Sequence, residues 1–574
     1  MEFKRDLCHT ASHVLAMAVK NIYPLAKLGI GPAIDGGFYY DFEFATPIKE
    51  LDLRKIESEM GRIIKLNLPV IRKEMTRAEA SRILTKLKEP YKLELLNDIA
   101  KNEKISFYYI GEFGDLCAGP HLEEVGGIKE FKLTKITGAY WRGNEKNKML
   151  TRIYGVAFDR QGLLMEYEKE QEEALKRDHN KLGRELGIFM TSEIVGQGLP
   201  LFMPNGAKLM EILTRFVEDE ETKRGYLRTR TPSLAKSDLF KISGHWEHYK
   251  DGMFILGNEV LDEEVFALRP MTCPFQILCY KNDLHSYKEL PIRYAETSPQ
   301  FRKESSGEMH GIIRLRQFTI SDAHIFLRED QVQQVFDECL DLTMFLLRIL
   351  RLDKAITFRL SKWDPKNREK YIDDAKMWEK SQDAIRKVLL HNKLEFTEAD
   401  GEAAFYGPKI DIQTKNVHGK EDTIITIQLD LALPKLFGLS YINDKGEKVM
   451  PYMVHRTSIG CYERTIAMLL EQTSGNLPLW LAPIQIIIMG VTNEQDDYCL
   501  EVKKLLTEKF RCEVDLRNEK LGLKIREAAR KKIPIKIVVG AKEAASATVS
   551  VDGKEMSVDE LVTKLEKQIH EEKS

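Results

Sequence analysis

Three residues that lie far apart in the chain are of the types that bind transition metals. Cys273 lies in the segment MTCP, His324 in SDAHIF and His455 in VHRTSIGCYER. One thiolate and two imidazoles form a plausible zinc site, and three protein ligands leave one position of a tetrahedral ion open. An open position indicates a catalytic or substrate-binding metal rather than a structural one. The alternative is that both histidines are ordinary buried side chains.

A second group of possible ligands lies near the start of the chain. His9 and His13 are four residues apart in a segment expected to be helical, so both side chains point to one face. Cys117 and His121 form a similar pair within GDLCAGPH. From residue types and spacing alone, these four side chains predict another zinc site.

Two further segments carry arginines that could bind phosphate. Residues 292–304 and 312–319 are predicted to form two strands joined by a turn-rich loop, with Arg302 and Glu304 at one edge. Arg464 follows a glycine turn at the start of an apolar helix. A planar guanidinium can contact a phosphate or a carboxylate through two parallel hydrogen bonds. Taken alone, each fragment is a weak signal, because an arginine on a strand is usually a surface charge.

The composition is that of an ordinary folded protein. A chain of 574 residues is long enough for about two to four domains, and a net charge of −2 gives no global sign of nucleic-acid binding. Eight cysteines without a CxxC pair predict no disulfide framework. We see no signal peptide, and the longest apolar run, near residues 484–491, is too short to span a bilayer. We therefore expect a cytoplasmic protein without membrane contact.

Changes in pattern along the chain predict four parts. Residues 1–160 combine short strands with glycine-rich turns, and residues 161–186 are predicted to form a charged connecting helix. Residues 187–481 carry the possible metal and phosphate-binding segments. Residues 482–574 alternate strands with helices, which predicts a small α/β domain with a largely parallel sheet.

Together, these segments resemble the class II aminoacyl-tRNA synthetases. Arg302 within FRKE resembles motif 2, and residues 460–464 (GCYER) resemble motif 3. Residues 228–232 (RTRTP) resemble the end of motif 1, which in that class lies at the dimer interface. With the three possible zinc ligands added in this order, the chain is similar to the threonyl-tRNA synthetases of the bacterial type.

This resemblance implies a threonine–tRNA ligase, which activates L-threonine with ATP and Mg²⁺ and transfers it from the adenylate to tRNA(Thr). It also implies a homodimer with one Zn²⁺ per subunit. The implied fold is α/β and α+β multidomain, with an antiparallel-sheet catalytic core. The expected ranges are 1–160 for an α+β editing domain, 161–186 for a linker helix, 187–481 for the catalytic domain and 482–574 for an α/β anticodon-binding domain.

In the catalytic core, the resemblance implies that Arg302 contacts the α-phosphate of ATP and Arg464 the γ-phosphate. The implied catalytic set is completed by Glu304 and Lys409. The implied threonine-binding residues are Asp322, which would accept a hydrogen bond from the substrate hydroxyl, together with Tyr406, Gln428 and Met271.

The zinc ion would select threonine through its amino group and its hydroxyl. Valine has no hydroxyl, and a site built around a required polar contact rejects its absence by roughly 10⁴–10⁵. Serine keeps both groups and lacks only a methyl, a difference worth about 1–3 kcal/mol. A second, hydrolytic selection against serine is therefore expected.

The first block supplies this second selection, because its histidines and cysteine resemble the editing site shared with alanyl-tRNA synthetases. The implied residues, which would hydrolyse seryl-tRNA(Thr), are His9, His13, Cys117, His121, Asp115, Tyr40 and Lys92. In the threonyl enzymes the resemblance implies hydrolysis without a metal, in contrast to the zinc site that spacing alone predicts. A degenerate domain that no longer edits is the alternative.

The chain departs from the family at several positions. Many members begin with a ubiquitin-like domain, whereas the first editing histidine here is already at position 9, so we expect that domain to be absent. Phe275 and Gln276 stand where many members have Gly-His, and Ile320 and Thr423 stand where glutamines are frequent. Contacts to ATP, adenylate and tRNA are expected to differ at these positions, whereas the metal site is expected to be unaffected.

Local basicity marks the last block. Between residues 516 and 542, two glutamates face nine basic residues, namely Arg517, Lys520, Lys524, Arg526, Arg530, Lys531, Lys532, Lys536 and Lys542. Such a cluster predicts a phosphate-facing surface for tRNA, and a solvated helical face is the alternative.

Three other functions stay open. A class II synthetase for proline or serine is disfavoured by the predicted zinc ligands. A non-catalytic RNA-binding paralogue is disfavoured by the presence of Arg302 and Arg464, and a stand-alone editing protein would not need motifs 2 and 3.

Overall fold

The computed structural model describes residues 3–100, 103–144, 146–354, 356–417, 419 and 421–574. The chain divides into two compact units, Met1–Glu173 and Ala174–Ser574. Both units mix helices with largely antiparallel sheets, as the predicted fold class requires. Among the described residues, no helix combines the length and the apolar composition that a membrane crossing needs.

The first unit consists of helices packed on two antiparallel sheets. Its helices are α1 Arg5–Ile22, α2 Glu50–Lys65, α3 Arg77–Leu87 and α4 Pro90–Asp98. Its strands are β1 Lys27–Leu28, β2 Ala33–Ile34, β3 Gly37–Glu43, β4 Val70–Met75, β5 Ile105–Ile110, β6 Phe113–Leu116, β7 Glu130–Tyr140 and β8 Met149–Phe158. One sheet has the order β1-β3-β8-β7, with β2 paired to β3, and the other has the order β4-β5-β6. Helix α1 is buried on several faces because it packs against α2 and against the first sheet.

Residues 161–186 form two helices rather than the single helix predicted, α5 Leu163–Arg177 and α6 His179–Glu185. The carboxylate of Asp178 causes the break. It accepts hydrogen bonds from the backbone N–H groups of Asn180 and Lys181, so it acts as the N-cap of a new helix.

The second unit contains a large eight-stranded sheet followed by a smaller five-stranded C-terminal sheet. Its helices are α7 Pro204–Lys223, α8 Ser237–Ile242, α9 His245–His248, α10 Cys273–Lys281, α11 Val332–Ile349, α12 Ala375–His391, α13 Ala432–Leu436, α14 Tyr462–Thr473, α15 Asp496–Thr507, α16 Leu521–Arg530, α17 Ala541–Ser546 and α18 Val558–Glu572. Its strands before residue 470 are β9 Phe189–Met190, β10 Leu201–Phe202, β11 Leu227–Arg228, β12 Leu234–Lys236, β13 Ile255–Leu256, β14 Phe266–Leu268, β15 His285–Ser286, β16 Ile292–Phe301, β17 Gln317–Leu327, β18 Ile356–Lys362, β19 Phe396–Asp400, β20 Lys409–Lys415, β21 Glu421–Asp430, β22 Tyr441–Ile442, β23 Lys448–Val449 and β24 Tyr452–Cys461.

The large sheet has the order β11-β16-β17-β24-β21-β20-β18-β19 and is antiparallel except at β11–β16 and β18–β19. Helices α7, α11 and α14 pack against it and share one apolar core with its central strands. The strand after the turn-rich loop begins at Gln317, not at residue 312 as predicted. Ile312 and Leu315 are buried in the loop instead, so their apolar side chains mimic a strand pattern in the sequence.

The C-terminal sheet confirms the predicted alternation of strands and helices. Its strands are β25 Ile486–Gly490, β26 Cys512–Asp515, β27 Ile535–Val539, β28 Thr548–Val551 and β29 Lys554–Ser557. Strand β25 pairs in parallel with β26 and β27, and β28 and β29 extend the sheet as an antiparallel hairpin. This region is therefore an α/β sheet with a parallel centre.

A buried charge pair joins helix α7 to the centre of the large sheet. Arg456 on β24 is fully buried, and its Nη1 donates to Glu221 Oε1 at 2.9 Å. The same oxygen accepts from Ser458 Oγ at 2.6 Å, and Glu221 Oε2 accepts from Arg228 Nη1 at 2.6 Å. Glu221, Arg456 and Ser458 are buried whereas Arg228 is exposed, so Glu221 is the buried counter-charge of Arg456.

Removal of this carboxylate is expected to destabilise the chain strongly. Glu221→Ala leaves the Arg456 guanidinium buried without its counter-charge, which costs about 3–5 kcal/mol. The control is Glu211→Ala on the same helix, where an exposed pair with Lys208 contributes about 0–1 kcal/mol. Denaturant unfolding of both variants measures the difference, and an equal loss in the two would contradict the role given to Glu221.

Candidate functional site

The three possible zinc ligands converge on one face of the large sheet. His324 on β17 pairs directly with His455 on β24, and Cys273 begins helix α10. The possible ligand atoms of all three residues lie within 4.8 Å of one another, and all three side chains are buried. Strand pairing therefore brings together residues that are 131 positions apart in the sequence, counting from 324 to 455.

Each histidine makes a hydrogen bond that determines which ring nitrogen is free. His324 Nδ1 lies 2.5 Å from Gln276 Oε1, so Nδ1 carries the proton and Nε2 keeps its lone pair. His455 Nε2 lies 2.8 Å from Asp430 Oδ2, so Nε2 carries the proton and Nδ1 is free. Such partners orient histidines for metal binding and increase their basicity.

Burial sets the charge state of the cluster. It lowers the pKa of His324 well below its ordinary value, with a smaller contribution from His455, so the imidazole is neutral, which is the ligand form. It also raises the pKa of the Cys273 thiol well above its ordinary value, with Asp322 and Asp430 adding to the effect. A bound cation would reverse this shift by stabilising the thiolate. The free Nε2 of His324, the free Nδ1 of His455 and the thiol of Cys273 fit a zinc ion.

The four residues predicted to bind threonine lie around this cluster. Asp322 is two residues before His324 on β17, so both side chains lie on one face of the sheet. The ring of Tyr406 stacks on that of His455, with the centroids 4.8 Å apart. Gln428 pairs with His455 across β21 and β24.

An unpaired polar atom in this group indicates room for a polar ligand. Gln428 Oε1 is buried without a hydrogen-bond partner among the described residues, and a bound polar group would satisfy it. Asp322 Oδ2 accepts from Gln300 Nε2 at 3.1 Å, and burial raises the pKa of Asp322. Met271, the fourth predicted residue, lies two positions before Cys273, with its Sδ 2.9 Å from His245 Nε2.

The predicted phosphate-binding arginines lie at the ends of neighbouring elements. Arg302 follows β16, where its Nε lies 3.4 Å from Pro270 O and its guanidinium lies over the ring of Phe318. Arg464 lies in the first turn of α14, where its Nε donates to Ile313 O at 3.0 Å and its Nη1 to Thr423 O.

The other two predicted catalytic residues are engaged in ion pairs. Glu304 accepts a hydrogen bond from Arg314 Nε at 2.9 Å. This ion pair joins the two sides of the turn-rich loop that follows β16. Lys409 Nζ lies 3.1 Å from Asp411 Oδ2 and pairs through its backbone with Gln428.

His245 was missed in the sequence. It is fully buried, and burial lowers its pKa to about 3. Its ring packs edge-on to Phe405, with the centroids 5.0 Å apart, and its Nδ1 lies 2.8 Å from Ser243 Oγ. The two histidines in GHWEHYK were the available signal, but they carry no recognisable ligand spacing with Cys273.

The predicted editing residues converge in the first unit. His9 Nε2 and His121 Nε2 each lie 3.3 Å from Cys117 Sγ, and the ring of His13 stands edge-on to that of His121 with the centroids 4.4 Å apart. The possible ligand atoms of these four residues lie within 4.8 Å of one another. The helical spacing in α1 and the loop after β6 bring the two pairs together.

Asp115 holds the other predicted editing residues. Tyr40 donates its hydroxyl to Asp115 Oδ2 at 2.5 Å, and Lys92 Nζ lies 2.6 Å from Asp115 Oδ1. His13 Nε2 lies 3.8 Å from the same carboxylate. All four side chains are buried, so the carboxylate is compensated within the cluster.

Burial keeps this cluster in its neutral forms. It lowers the pKa of His121 to about 2 and that of His13 well below its ordinary value. It also raises the pKa of the Cys117 thiol to about 11. Neutral imidazoles can accept a proton from water, and they can equally bind a metal.

Two neighbours of this cluster were also missed in the sequence. Thr10 Oγ1 accepts from the N–H of Leu122 at 2.9 Å and lies 3.4 Å from His121 Nδ1. The ring of Tyr108 lies 4.4 Å from that of His121. Neither residue type is distinctive, so only the fold reveals them.

A third cluster with metal-binding residue types, Asp178, His179 and Glu471, is fully paired. His179 Nδ1 lies 2.6 Å from Glu471 Oε1, and His179 Nε2 accepts from the N–H of Ile312 at 3.3 Å. Both ring nitrogens of His179 are therefore engaged in hydrogen bonds, which leaves the imidazole without a free ligand atom for an ion. The cluster fastens α6 to α14 and to the segment after motif 2.

The predicted basic surface of the last block is only partly present. Lys524 is buried, and its ammonium donates to Asp515 O at 3.1 Å and to Gly490 O at 3.4 Å, so it does not contribute to an exposed basic surface. Arg517 is paired with Asp515 and Glu527. The basic residues that are exposed are Arg517, Lys520, Arg526, Arg530, Lys531 and Lys542.

Family models match three parts of the chain. Residues 258–473 match the tRNA synthetase class II core domain (G, H, P, S and T), and residues 485–568 match an anticodon binding domain. Residues 105–154 match the threonyl and alanyl tRNA synthetase second additional domain. The fold and these matches define a class II aminoacyl-tRNA synthetase.

Full-length relatives identify the family. A threonine–tRNA ligase from Clostridium botulinum is 56% identical over 551 residues, which cover 96% of this chain and 85% of that protein. Another from Geobacillus sp. is 46% identical over 571 residues, which cover 98% of this chain and 88% of that protein. The chain belongs to the threonine–tRNA ligase family.

Solved structures show the same fold. A structure of the RNA binding domain of threonyl-tRNA synthetase from Cryptosporidium parvum Iowa II has a TM-score of 0.64 and 32% identity, covering 68% of this chain and 98% of that one. A prolyl-tRNA synthetase from Cryptosporidium parvum with L-proline and AMP has a TM-score of 0.53 and 17% identity, covering 69% and 75%. The second likeness shows the fold alone.

The buried histidines of the first unit are expected to make stability depend on pH. The pKa of His13 in the folded state lies below its unfolded value of about 6.5. The unfolded chain therefore binds a proton more readily, so the free energy of unfolding is highest above that pH and decreases as the pH falls below it. Between pH 7.5 and 5.5 the loss is about 1 kcal/mol for one such histidine. Denaturant unfolding of the wild type should show this loss, and His13→Asn should show less of it. The exposed His391→Asn serves as control, and equal pH dependence in both variants would contradict the assignment.

Proposed function

We propose that this chain activates L-threonine with ATP and Mg²⁺ to threonyl-adenylate and transfers it to tRNA(Thr). Family membership supports this activity over the proline, serine and non-catalytic alternatives. The observation that carries the proposal is the buried cluster of Cys273, His324 and His455 beside the carboxylate of Asp322.

We propose one zinc ion per subunit, held by Cys273 Sγ, His324 Nε2 and His455 Nδ1. The free nitrogens of the two histidines support this ligand set. When bound by these three residues, zinc would act as a Lewis acid for the amino group and the hydroxyl of threonine. Asp322 accepts the hydrogen bond of that hydroxyl, and valine is rejected because it leaves these polar groups unpaired.

The arginines are proposed to hold ATP, Arg302 at the α-phosphate and Arg464 at the γ-phosphate. A guanidinium has five N–H donors, so the carbonyl contacts of these residues among the described ones leave donors for a phosphate. Lys409 adds a cation on the same sheet, and Glu304 keeps the motif 2 loop in place through Arg314. Positioning and charge stabilisation of this kind need no general base from the protein.

The domain ranges are proposed as 1–160 for editing, 161–186 for the linker, 187–481 for catalysis and 482–574 for anticodon binding. Residues 228–232 are proposed to lie at the interface of a homodimer, and a cytoplasmic location accords with the free cysteines among the described residues.

In the editing site, we propose that water attacks the ester of seryl-tRNA(Thr) without a metal. The neutral imidazoles of His9, His13 and His121 can accept a proton from that water. Cys117 can donate its thiol proton within hydrogen-bond distance of His9 and His121. Asp115, held by Tyr40 and Lys92, fixes the position of His13.

Amino-acid-dependent ATP–pyrophosphate exchange tests the synthetic activity. Zinc-loaded protein should exchange strongly with threonine, about 10–200-fold less efficiently with serine, and at least about 10⁴-fold less efficiently with valine. Reactions without amino acid serve as control. Exchange with none of the three in folded, zinc-loaded protein would overturn the proposed activity.

Hydrolysis of seryl-tRNA(Thr) tests the editing activity separately. His13→Ala should slow deacylation by about 10²-fold or more, because it removes a proton acceptor, and should leave threonine-dependent exchange unchanged. Metal analysis of the wild type should give one zinc per chain, lost in Cys273→Ala and retained in Cys117→Ala. Two zinc ions per chain, with one lost in Cys117→Ala, would show that the editing site binds metal.

A further inference from the structure

We propose that Gln276 is a positioning residue for the metal site, because its amide selects the tautomer of His324 and connects this ligand to the segment after β11. The proposal rests on the zinc site proposed above. Gln276 lies three residues after Cys273 on α10, so one short helix would supply one ligand directly and orient another.

The contacts of Gln276 use both ends of its amide. Its Oε1 lies 2.5 Å from His324 Nδ1, and its Nε2 donates to Thr229 Oγ1 at 2.6 Å. The side chain is fully buried, so water does not compete for these groups. An amide suits this position because it combines an acceptor with a donor and does not ionise.

A buried carboxylate sets the direction of the whole chain of hydrogen bonds. Glu296 Oε2 lies 3.1 Å from Thr229 Oγ1, and an ionised carboxylate only accepts, so Thr229 must donate to it. Thr229 then accepts from the NH₂ group of Gln276, which turns the amide oxygen toward His324. His324 must in turn donate from Nδ1, and its Nε2 is left as the ligand atom.

A buried arginine pairs with this carboxylate and supplies its counter-charge. Arg269 Nη1 donates to Glu296 Oε1 at 3.0 Å and to Thr231 Oγ1 at 2.6 Å. Arg269 and Glu296 are both almost completely buried, which strengthens this ion pair. The relay therefore runs from Arg269 through Glu296, Thr229 and Gln276 to His324, and it passes through Thr229 in the segment that resembles motif 1.

Three variants in the full-length protein test the relay. Gln276→Leu removes both hydrogen bonds at similar volume, Thr229→Val removes the direction-setting hydroxyl, and Gln276→His keeps one acceptor and one donor. Zinc affinity is measured by competition with a chromophoric chelator. The visible absorption of Co²⁺-loaded protein reports the geometry of the thiolate site, and KM is measured for threonine and for ATP.

We expect Gln276→Leu to weaken zinc binding about 10–100-fold, as loss of a hydrogen-bond partner of a metal ligand does. Its Co²⁺ spectrum should change, and KM should rise for threonine but not for ATP. Thr229→Val should change the same quantities in the same direction by a smaller factor, and Gln276→His should restore values near those of the wild type.

The matched control is Gln485→Leu in the C-terminal sheet. Gln485 is also buried, and its amide also bridges two groups, donating to Leu479 O and accepting from the N–H of Arg511. This variant should lose comparable stability without any change in zinc affinity or in the Co²⁺ spectrum. If loss of any buried amide weakened zinc binding, the zinc affinity would decrease in both Gln276→Leu and Gln485→Leu, which would contradict the relay.

The outcomes separate the two proposals. A folded wild type that does not bind zinc tightly overturns the zinc site and the relay together. Tight zinc binding in the wild type with unchanged affinity and Co²⁺ spectrum in Gln276→Leu overturns the relay alone. If Gln276→Leu fails to fold by circular dichroism, unchanged values in Thr229→Val overturn the relay, and reduced affinity there supports it.

Discussion

The pairing of β17 with β24 is the constraint on which the catalytic part of this protein depends. It sets His324 directly opposite His455, and the adjoining pair of β24 with β21 sets Gln428 opposite His455. Side chains alternate between the faces of a strand, so a slip of one residue between β17 and β24 would put the two histidines on opposite faces of the sheet. The register of the central strands therefore determines whether the site exists.

Buried carboxylates orient the side chains that strand register brings together. Asp430 orients His455, Glu296 sets the direction of the hydrogen bonds that reach His324, and Asp115 holds the editing residues of the first unit. A carboxylate is useful in this position because it only accepts hydrogen bonds, so every neighbour must turn a donor toward it. Each of these acids is compensated by nearby donors, which keeps the energetic cost of its burial low.

Much of the architecture could be predicted from the sequence. Three features depend on local patterns, which a sequence displays directly. They are the alternation of strands and helices after residue 482, the helical face shared by His9 and His13, and the order of the synthetase motifs. Local patterns also misled the prediction. The buried loop residue Ile312 resembled part of a strand, and an N-cap at Asp178 divided a helix that charge alone would have continued.

The sequence by itself determined the residue types of both sites and the family to which they point, because unusual side chains at recognisable spacings carry that information. Only the tertiary structure decided how these residues are oriented. Contacts between distant segments leave Nε2 free in His324 and Nδ1 free in His455. They also bury Lys524 and His245. Such contacts are set by strand register and packing, and neither is written in the spacing of residues along one segment.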